Sequence, residues 1–414
     1  MKAVLERKSE EALKNNSSIW KNKQFLLLIS GTSVSNLTFS IFTMALPIMI
    51  YELTRSAFAM GTMRAIEFLP NLLLAVFIGV LVDRFNRKKV LLSSVGLQMV
   101  IILTMIALLL TSQLQLWHLY VLGFILYTSA YMFGNAYHSV LPLIVEKEQL
   151  TAANSVISFL YTFVGLIGPA LAGMVLLVLN NIYGLTITAV GLLVLLLFIS
   201  LLKLPVIKNE EGQKKTSIIE EMKEGWYSLI ENKELWNLTI MVLLSNITSA
   251  ATLSVFIFFA LDVMNVIETK LGIILASTAI GGLVAATLAK KMTRWFTRGQ
   301  LFIWSLAIQS FGYFLLFFSL DWYWLVAGMF CNGLSGGLMN IHYFTLRQET
   351  TPNHLLGRVA GTSSMLMKLA VPFAFFGVGA LAEFIPVHFI FLGSAIGTAL
   401  IIVYLVRTPV VYMR

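Results

Sequence analysis

The stretch GVLVDRFNRKKV (residues 79–90) places five charged residues within seven positions, from Asp83 to Lys89. Charged residues make up only 12% of the whole 414-residue chain. The segments on either side, LPNLLLAVFIGV (69–80) and VLLSSVGLQMVIILTMIALLL (90–110), contain no charged residue. A charged stretch between two long apolar segments predicts a loop at a membrane surface, between two helices that cross the membrane.

The composition of the chain also predicts an integral membrane protein. Hydrophobic residues make up 58% of it, whereas soluble domains contain about 45–50% apolar residues. A spanning helix needs about 20 mostly apolar residues, because its backbone groups must find partners within the helix. Twelve such segments, called spans 1 to 12, are predicted at 25–50, 58–82, 90–111, 117–140, 152–178, 183–204, 235–260, 271–291, 300–320, 322–345, 358–382 and 386–407. The predicted fold class is therefore all-α, with twelve transmembrane helices.

The chain is predicted to form two six-helix bundles that are related by pseudo-symmetry. The predicted parts are an N-terminal segment (1–24), a first bundle (25–204), a polar linker (205–234), a second bundle (235–407) and a tail (408–414). Pro169 in span 5 and Pro372 in span 11 lie at matching depths of the two halves. Repeated halves around a central linker are typical of secondary transporters.

The linker contains a predicted amphipathic helix. One of its faces carries Ile218, Ile219, Met222, Trp226, Leu229 and Ile230. The segment SIIE (217–220) is typical of a capping box at the start of a helix. Two interpretations remain open: a helix on the membrane surface with Trp226 at headgroup depth, or a helix surrounded by solvent.

The positive charges lie almost entirely on one side of the predicted membrane. Of the 29 Lys and Arg residues, only Arg55, Arg64, Lys270 and Lys368 fall outside the loops on the side of the opening stretch. We call this side the basic face. By the positive-inside rule it is cytoplasmic, together with both termini, so we expect a multi-pass protein of the cell's inner (plasma) membrane. The net charge of +9 reflects this orientation and does not indicate a nucleic-acid partner.

No pattern of catalytic or metal-binding residues is recognisable in the sequence. The single cysteine, Cys331, lies in span 10, and the chain has no cluster of Cys and His residues. The glycine-rich NGLSGG (332–337) lies in the same span and lacks the lysine with which a phosphate-binding loop holds its ligand. We therefore expect no enzyme activity, no metal, no cofactor and no use of ATP by this chain.

The opening stretch resembles a known loop signature. It is similar to the signature between the second and third helices of the major facilitator superfamily at Gly79, Leu81, Asp83, Arg84, Arg87 and Lys88. The alternative interpretation is an ordinary basic loop that contains one aspartate. The resemblance implies a conformational clasp, in which Asp83 meets the N-terminus of span 11 near Gly357 in the outward-open state. It also implies that Gly79 lets another helix approach closely and that the basic residues support the contact.

A second resemblance concerns span 5. The pattern Gly165-x-x-Gly168-Pro169-x-x-x-Gly173 is similar to a glycine-proline motif of the superfamily's drug antiporters. The match departs from the family at Ala172, where a glycine is usual. The resemblance implies antiport. The alternative is ordinary helix packing, because small residues let helices approach closely and proline permits a bend.

The whole chain resembles the macrolide-efflux branch of bacterial exporters within this superfamily. The resemblance rests on FLP (68–70), LVDRFNRKK (81–89), LPLIVEKEQLTAAN (141–154), EMKEGWYSLIENKEL (221–235) and LLGRV (355–359). It implies a monomeric exporter that moves an amphiphilic small molecule of macrolide or multidrug type by alternating access, in exchange for protons. The open alternatives are a lipid or lysolipid flippase, a siderophore exporter, and a membrane receptor that transports nothing.

Three charged residues lie deep within predicted spans, away from the span ends: Arg64, Glu67 and Lys368. They are the candidates for ion coupling, since charge inside a membrane is costly and rarely kept without a use. Arg64 and Glu67 lie on one face of span 2, as a neutralised structural pair or as a proton-carrying pair. Lys368 is predicted near the membrane centre, where it must face water, pair with an acid such as Glu67, or lose its proton. Span 4 lacks the arginine that proton-coupled exporters of the superfamily carry, and Leu126 stands near that position.

A substrate cavity is predicted between the two halves. Its candidate lining residues are polar or aromatic and lie at mid-span depth: Asn36, Tyr127, Tyr131, Asn135, Tyr161, Ser245, Asn246, Asn332 and Asn340. For any one of them, a hydrogen bond between helices is the alternative interpretation. Together with 29 phenylalanines and 18 methionines, these residues suit a large apolar cavity with a few polar contacts.

Overall fold

The computed structural model of the protein describes residues 19–146, 149–204, 218–352 and 355–408. Within these ranges the regular secondary structure is helical and contains no strand, which confirms the predicted all-α class. The helices of the first half are Lys23–Thr54 (span 1), Ala57–Leu73 and Ala75–Arg84 (span 2), Arg87–Leu110 (span 3), Leu116–Ile144 (span 4) and Leu150–Leu201 (spans 5 and 6). Those of the second half are Lys233–Phe258 (span 7), Glu268–Met292 (span 8), Arg298–Phe317 (span 9), Trp322–Thr350 (span 10), Leu356–Lys368 and Val371–Leu381 (span 11) and His388–Val406 (span 12).

Nine helical segments in the described part of the chain are long and apolar enough to cross a membrane. One of them lies within the 52-residue run Leu150–Leu201, which would be about 78 Å long if it were straight, at about 1.5 Å per residue. That is more than twice the apolar thickness of a bilayer, about 30 Å. The run is broken at Asn180, whose φ is 64° and whose side-chain oxygen accepts the Ile182 N–H at 3.0 Å. Span 6 therefore begins after Asn180 with its own cap, and the run supplies two spans.

Spans 2 and 11 are each divided into two shorter helices. Span 2 is interrupted at Leu74, four residues after Pro70, and span 11 just before Pro372. Proline has no backbone N–H, so at Pro372 the carbonyl four residues earlier loses its helical partner, which accounts for the interruption of span 11. At the interruption of span 11, the Asn246 side chain of span 7 donates a 2.9 Å hydrogen bond to the carbonyl of Met367. This bond stabilises the break.

The two halves meet through two pairs of closely packed helices. In the first pair, spans 2 and 11, a Cβ atom added to Gly379 would lie 3.1 Å from the Cα of Gly61. In the second pair, spans 5 and 8, a Cβ added to Gly173 would lie 3.2 Å from the Cα of Gly272. Both contacts lie in the parts of these helices remote from the basic face, on the side that we call the opposite face. Since lipid supplies no hydrophobic force between helices, such close backbone packing is what holds spans together.

At the basic face the described residues show no comparable packing between the halves. The second helix of span 2, Ala75–Arg84, contacts spans 3 and 4 of its own half. The first helix of span 11, Leu356–Lys368, contacts spans 7 and 10 of its own half and the linker helix. A Cβ atom added to Gly79 or to Gly357 would have no atom within 4 Å. The protein is therefore closed at the opposite face and open at the basic face.

In this conformation no other helix of the described residues approaches Gly79 or Gly357 closely. The surroundings of both glycines are open because the halves are separated at the basic face. Arg84, at the end of the same helix, is exposed. The side chain of Asp83 lies outside the part of the chain that the structure describes, so the clasp stays a prediction for a conformation with a closed basic face.

The linker helix, Ile218–Glu231, packs against span 11. A Cβ added to Gly225 would lie 2.7 Å from the carbonyl oxygen of Arg358, and the Glu224 carboxylate forms an ion pair with the Arg358 guanidinium. Trp226 is 39% exposed and lines an apolar groove of about 430 Å³ between the two helices. Neither interpretation of the linker included this contact, which makes the helix part of the second half. Ser217, the first residue of the predicted capping box, lies outside the described residues.

Replacing Gly379 by valine is predicted to weaken the contact between spans 2 and 11, because the new side chain meets the backbone of Gly61. Overpacking of this kind costs about 1–3 kcal/mol, so the midpoint of thermal unfolding in detergent should fall. The matched control is Gly377→Val in the same helix, since an added Cβ at Gly377 meets no atom within 4 Å. Equal midpoints for the two variants would contradict the close contact.

Candidate functional site

Arg64 and Glu67 form an ion pair in the first helix of span 2. Arg64 Nη1 lies 2.9 Å from Glu67 Oε2, and the three-residue spacing brings the side chains together on one face. The Glu67 side chain is 8% exposed and that of Arg64 is 27% exposed. A carboxylate buried to this degree needs a charged partner to stay ionised. Arg64 supplies that partner.

Tyr127 of span 4 lies beside this ion pair. Its hydroxyl is close to the Glu67 carboxyl but makes no hydrogen bond of normal geometry. Its ring packs against Phe39 and Phe42 of span 1, with 6.3 Å between ring centroids in both cases. Tyr127, predicted to line the cavity, thus lies between the ion pair and the aromatic side chains of span 1. A buried carboxyl with a cationic and a hydroxyl neighbour can bind and release a proton when its surroundings change.

Lys368, the third intramembrane charge, is not the partner of Glu67, whose carboxylate binds Arg64. Lys368 is the last residue of its helix, and its side chain is exposed. Helical spacing places Gly357, Gly361 and Lys368 on one side of this helix, and an added Cβ at either glycine meets no atom within 4 Å. Lys368 is thus exposed, on the side of the helix that faces open space.

The glycine-proline pattern of span 5 lies at two helix contacts. A Cβ added to Gly168 would lie 2.8 Å from a serine Cβ of span 1, while Gly173 packs against Gly272 of span 8. The carbonyl oxygen of Pro169 also lies against Gly272. An added Cβ at Gly165, by contrast, meets no atom within 4 Å. The pattern therefore joins span 5 both to its own half and to the other half near the closed face.

Several predicted cavity residues make hydrogen bonds within the protein. Ser245 is buried and donates a 2.7 Å hydrogen bond to Gln309 Oε1 of span 9. Asn246 binds the interruption of span 11. Asn135 donates to the carbonyl of Tyr131, one turn earlier in its own helix, at 2.8 Å. For Ser245 and Asn246 the structure therefore shows the alternative interpretation, a hydrogen bond between helices, whereas the bond of Asn135 lies within span 4.

Four other predicted cavity residues stay available for contact with a substrate. Asn36 and Tyr161 line a small cleft between spans 1, 4 and 5, and Tyr161 is 53% exposed. In span 10, Asn332 is half-buried and Asn340 is exposed. Each half thus contributes an exposed polar or aromatic group.

The basic residues of the opening stretch connect helix ends within the first half. Arg87 Nη1 donates a 3.0 Å hydrogen bond to the Ser139 carbonyl near the end of span 4. Lys88 Nζ donates to the carbonyls of Ser200 and Leu202 at the end of span 6, both at 2.7 Å. Cations are favourable at helix C-termini, because the last carbonyl groups lack helical partners. In this conformation the two side chains act within their own half.

Sequence reasoning missed a polar contact between the halves at the opposite face. The Tyr51 hydroxyl of span 1 donates a 3.0 Å hydrogen bond to Oδ1 of Asp262, in the π-helical turn Phe259–Val263 after span 7. Arg55 donates to the same hydroxyl at 2.7 Å and lies 3.8 Å from Asp262 Oδ1. A signal for this contact was present. Arg55 is one of the few basic residues outside the basic face, and Asp262 carries the opposite charge in the other half.

The fold defines a membrane transport protein built from two helical bundles, which pack together at one face and stand apart at the other. The chain belongs to the Major Facilitator Superfamily, whose family model matches residues 28–375. The predicted family is therefore confirmed. It is a family of transporters and not of enzymes.

Relatives and a solved structure support the same fold and class. The chain is similar to macrolide efflux protein A of Streptococcus pyogenes, at 27% identity over 399 residues, which cover 94% of this chain and 95% of that protein. It is also similar to the enterobactin exporter EntS of Citrobacter koseri, at 24% identity over 358 residues, which cover 84% and 83% of the two chains. The fold is similar to that of a bacterial homologue of the iron transporter ferroportin in an inward-facing state. That likeness has a TM-score of 0.71 and 15% identity, and covers 95% of this chain and 100% of the other.

Removing one partner of the Arg64–Glu67 pair is predicted to cost more stability than removing both. Glu67→Gln leaves a largely buried guanidinium without its counter-charge, which should lower the free energy of unfolding by about 2–4 kcal/mol. Arg64→Gln combined with Glu67→Gln should recover most of that loss, because no unpaired charge remains. Denaturation in detergent measures the four proteins of the cycle. Additive losses would contradict a coupled pair.

Proposed function

We propose that the protein is a secondary active exporter of amphiphilic compounds of macrolide or multidrug type, which works by alternating access in exchange for protons. The observation that carries the proposal is the one-sided contact between the halves. Spans 2 and 11 and spans 5 and 8 pack together near the opposite face, whereas the basic-face helices of spans 2 and 11 show no comparable packing against each other. A protein with this form presents its central space to one side of the membrane, which is one of the two states that alternating access requires.

The basic face is proposed to be cytoplasmic, in a bacterial inner membrane, with both termini on that side. The positive-inside rule supports this orientation. The two basic residues of the opposite face are held by local contacts: Arg55 lies beside Asp262, and Lys270 Nζ lies 5.3 Å from the centre of the Trp322 ring. In this orientation the protein is open to the cytoplasm, which is the side from which an exporter loads its substrate.

An amphiphilic substrate is supported by the relatives and by the candidate cavity. The relatives bear the names macrolide efflux protein A and enterobactin exporter, so their named cargoes are larger than a sugar or an amino acid. Asn36, Tyr161, Asn332 and Asn340 offer a few polar groups among many apolar ones, as suits an amphiphile. The similarity to an enterobactin exporter keeps a siderophore as the second candidate cargo.

Glu67 is proposed to carry the coupled proton. A proton on Glu67 neutralises the carboxylate and leaves Arg64 without its counter-charge, so the two protonation states differ in the stability of the pair. The pair lies on span 2, which packs against span 11 at the closed face. A change in charge at Glu67 therefore acts on a helix that changes its contacts when the protein opens. Lys368, exposed on span 11, is the second candidate for coupling.

Transport by inverted membrane vesicles is predicted to depend on a proton gradient. Vesicles with an acidic interior should accumulate a macrolide, and a protonophore should abolish the accumulation, because protons leaving the vesicle drive the substrate in. Glu67→Gln should abolish the dependence on the gradient. The matched control is Glu146→Gln, since Glu146 is an exposed acid in a loop of the same half.

The outcomes of this assay test proton coupling, the cargo and the role of Glu67 separately. Equal accumulation with and without the gradient would rule out proton coupling. Accumulation of a catecholate siderophore but of no macrolide would replace the proposed cargo by the second candidate. An unchanged gradient dependence in the Glu67→Gln variant would remove Glu67 from the coupling step.

A further inference from the structure

Glu383 connects the end of span 11 to the beginning of span 2. It follows Leu381, the last residue of span 11, by two positions. Its Oε1 atom accepts a 2.7 Å hydrogen bond from the Ser56 hydroxyl and a 3.2 Å hydrogen bond from the backbone N–H of Phe58. Ser56 is the N-cap residue of span 2, and Phe58 lies in its first turn. A carboxylate of the second half thus caps a helix of the first half.

The contact has a clear electrostatic basis. The first N–H groups of a helix lack partners within the helix and give its N-terminus a partial positive charge. A carboxylate there accepts a hydrogen bond and meets favourable charge, whereas beside the C-terminus of span 11 the same carboxylate meets unfavourable charge. The Glu383 carboxylate is therefore stabilised in its position only while span 2 stays next to span 11.

The nearby contact of Asp262 acts on the same turn of the first half. Asp262 binds the Tyr51 hydroxyl and lies near Arg55, just before Ser56. Two acids of the second half thus hold the connection between spans 1 and 2. We call these contacts of Glu383 and Asp262 the opposite-face latch.

The antiparallel course of spans 2 and 11 places a related pair of helix ends at the basic face. Asp83 is the penultimate residue of span 2, and Gly357 is the second residue of span 11. Each face therefore has an acid at the C-terminal end of one helix and the N-terminus of the other helix: Glu383 with span 2 at the opposite face, and Asp83 with span 11 at the basic face. At the opposite face the contact is formed. At the basic face the helices are apart.

We propose that Glu383 is a positioning residue for alternating access, which stabilises the closed opposite face by capping span 2 across the boundary between the halves. When two rigid bundles rock against each other, they separate at one face as they close at the other. The cap by Glu383 and the clasp predicted for Asp83 are thus alternative versions of one interaction, made at opposite ends of the same helix pair. The inference rests on the alternating access of the proposed function and not on the identity of the cargo.

The test measures distances between spin labels at both faces without substrate. Labels at Gln113→Cys and Phe318→Cys report on the opposite face, because these exposed positions lie in loops of different halves. Labels at Glu146→Cys and Trp295→Cys report in the same way on the basic face. The background carries Cys331→Ser, which removes the single native cysteine.

Glu383→Gln is compared with Asp321→Asn. Asp321 is an acid of the same half and face that caps span 10 within its own half, and asparagine caps a helix about as well as aspartate. Glu383→Gln should raise the ratio of open to closed opposite faces about fivefold, because the glutamine oxygen can still accept the hydrogen bonds and only the contribution of the charge at an exposed site is lost. The distance between the two labels at the basic face should shorten in the same fraction of molecules. Asp321→Asn should change neither distance.

The double variant Ser56→Ala with Glu383→Gln separates a cap from a general effect of charge. If the two residues act through one contact, the double variant should shift the ratio less than the product of the single shifts. Suppose that the wild-type protein shows both the open and the closed opposite face, with a ratio that Glu383→Gln does not change. That result would overturn the latch and leave alternating access intact. If each face shows a single label distance under every condition, including with a macrolide present, alternating access itself is overturned, and the latch with it.

Discussion

The rest of the structure depends on close backbone packing between the halves at the opposite face. In a bilayer the lipid is as apolar as the helices, so association requires complementary surfaces and close approach. Gly61 with Gly379 and Gly173 with Gly272 supply that approach in two helix pairs. These contacts fix one end of the boundary between the bundles. The other end can then open while the bundles themselves stay intact.

The placement of charge follows from the same membrane environment. Most of the charge lies in loops and at helix ends, where the side chains of Arg87 and Lys88 bind the carbonyl ends of spans 4 and 6. Within the spans, the Arg64 and Glu67 side chains neutralise each other. A charge inside the membrane without such a partner is costly. The Arg64–Glu67 pair is therefore both a structural solution and a place where protonation changes the energy of span 2.

Much of the fold could be predicted from the sequence, because the length of apolar segments is a strong physical signal. Twelve spans, their order and the family all follow from such segments and from the stretch at 79–90. The interruption just before Pro372 could have been anticipated from proline. Packing of the linker helix against span 11 could not, since it depends on one glycine, Gly225, and on a long-range ion pair.

The candidate site was less predictable than the fold. A polar residue at mid-span depth can face a cavity or another helix, and sequence does not distinguish the two. Ser245 and Asn246 bind neighbouring helices, whereas Tyr161 is exposed. The sequence also could not predict which face is closed, because glycines at both faces are suited to close packing. Only the structure shows which pair is in contact.

The central claim, that the space between the halves opens only at the basic face, is tested most directly by labelling a cysteine at Tyr161. This residue lies in span 5, is exposed, and lines the cleft beside Asn36. The measurement is the rate of reaction of Tyr161→Cys, in a Cys331→Ser background, with a membrane-impermeant thiol reagent in vesicles of both orientations. Fast labelling only when the basic face is outward is the result that the account predicts. Equal or faster labelling from the opposite face would contradict it.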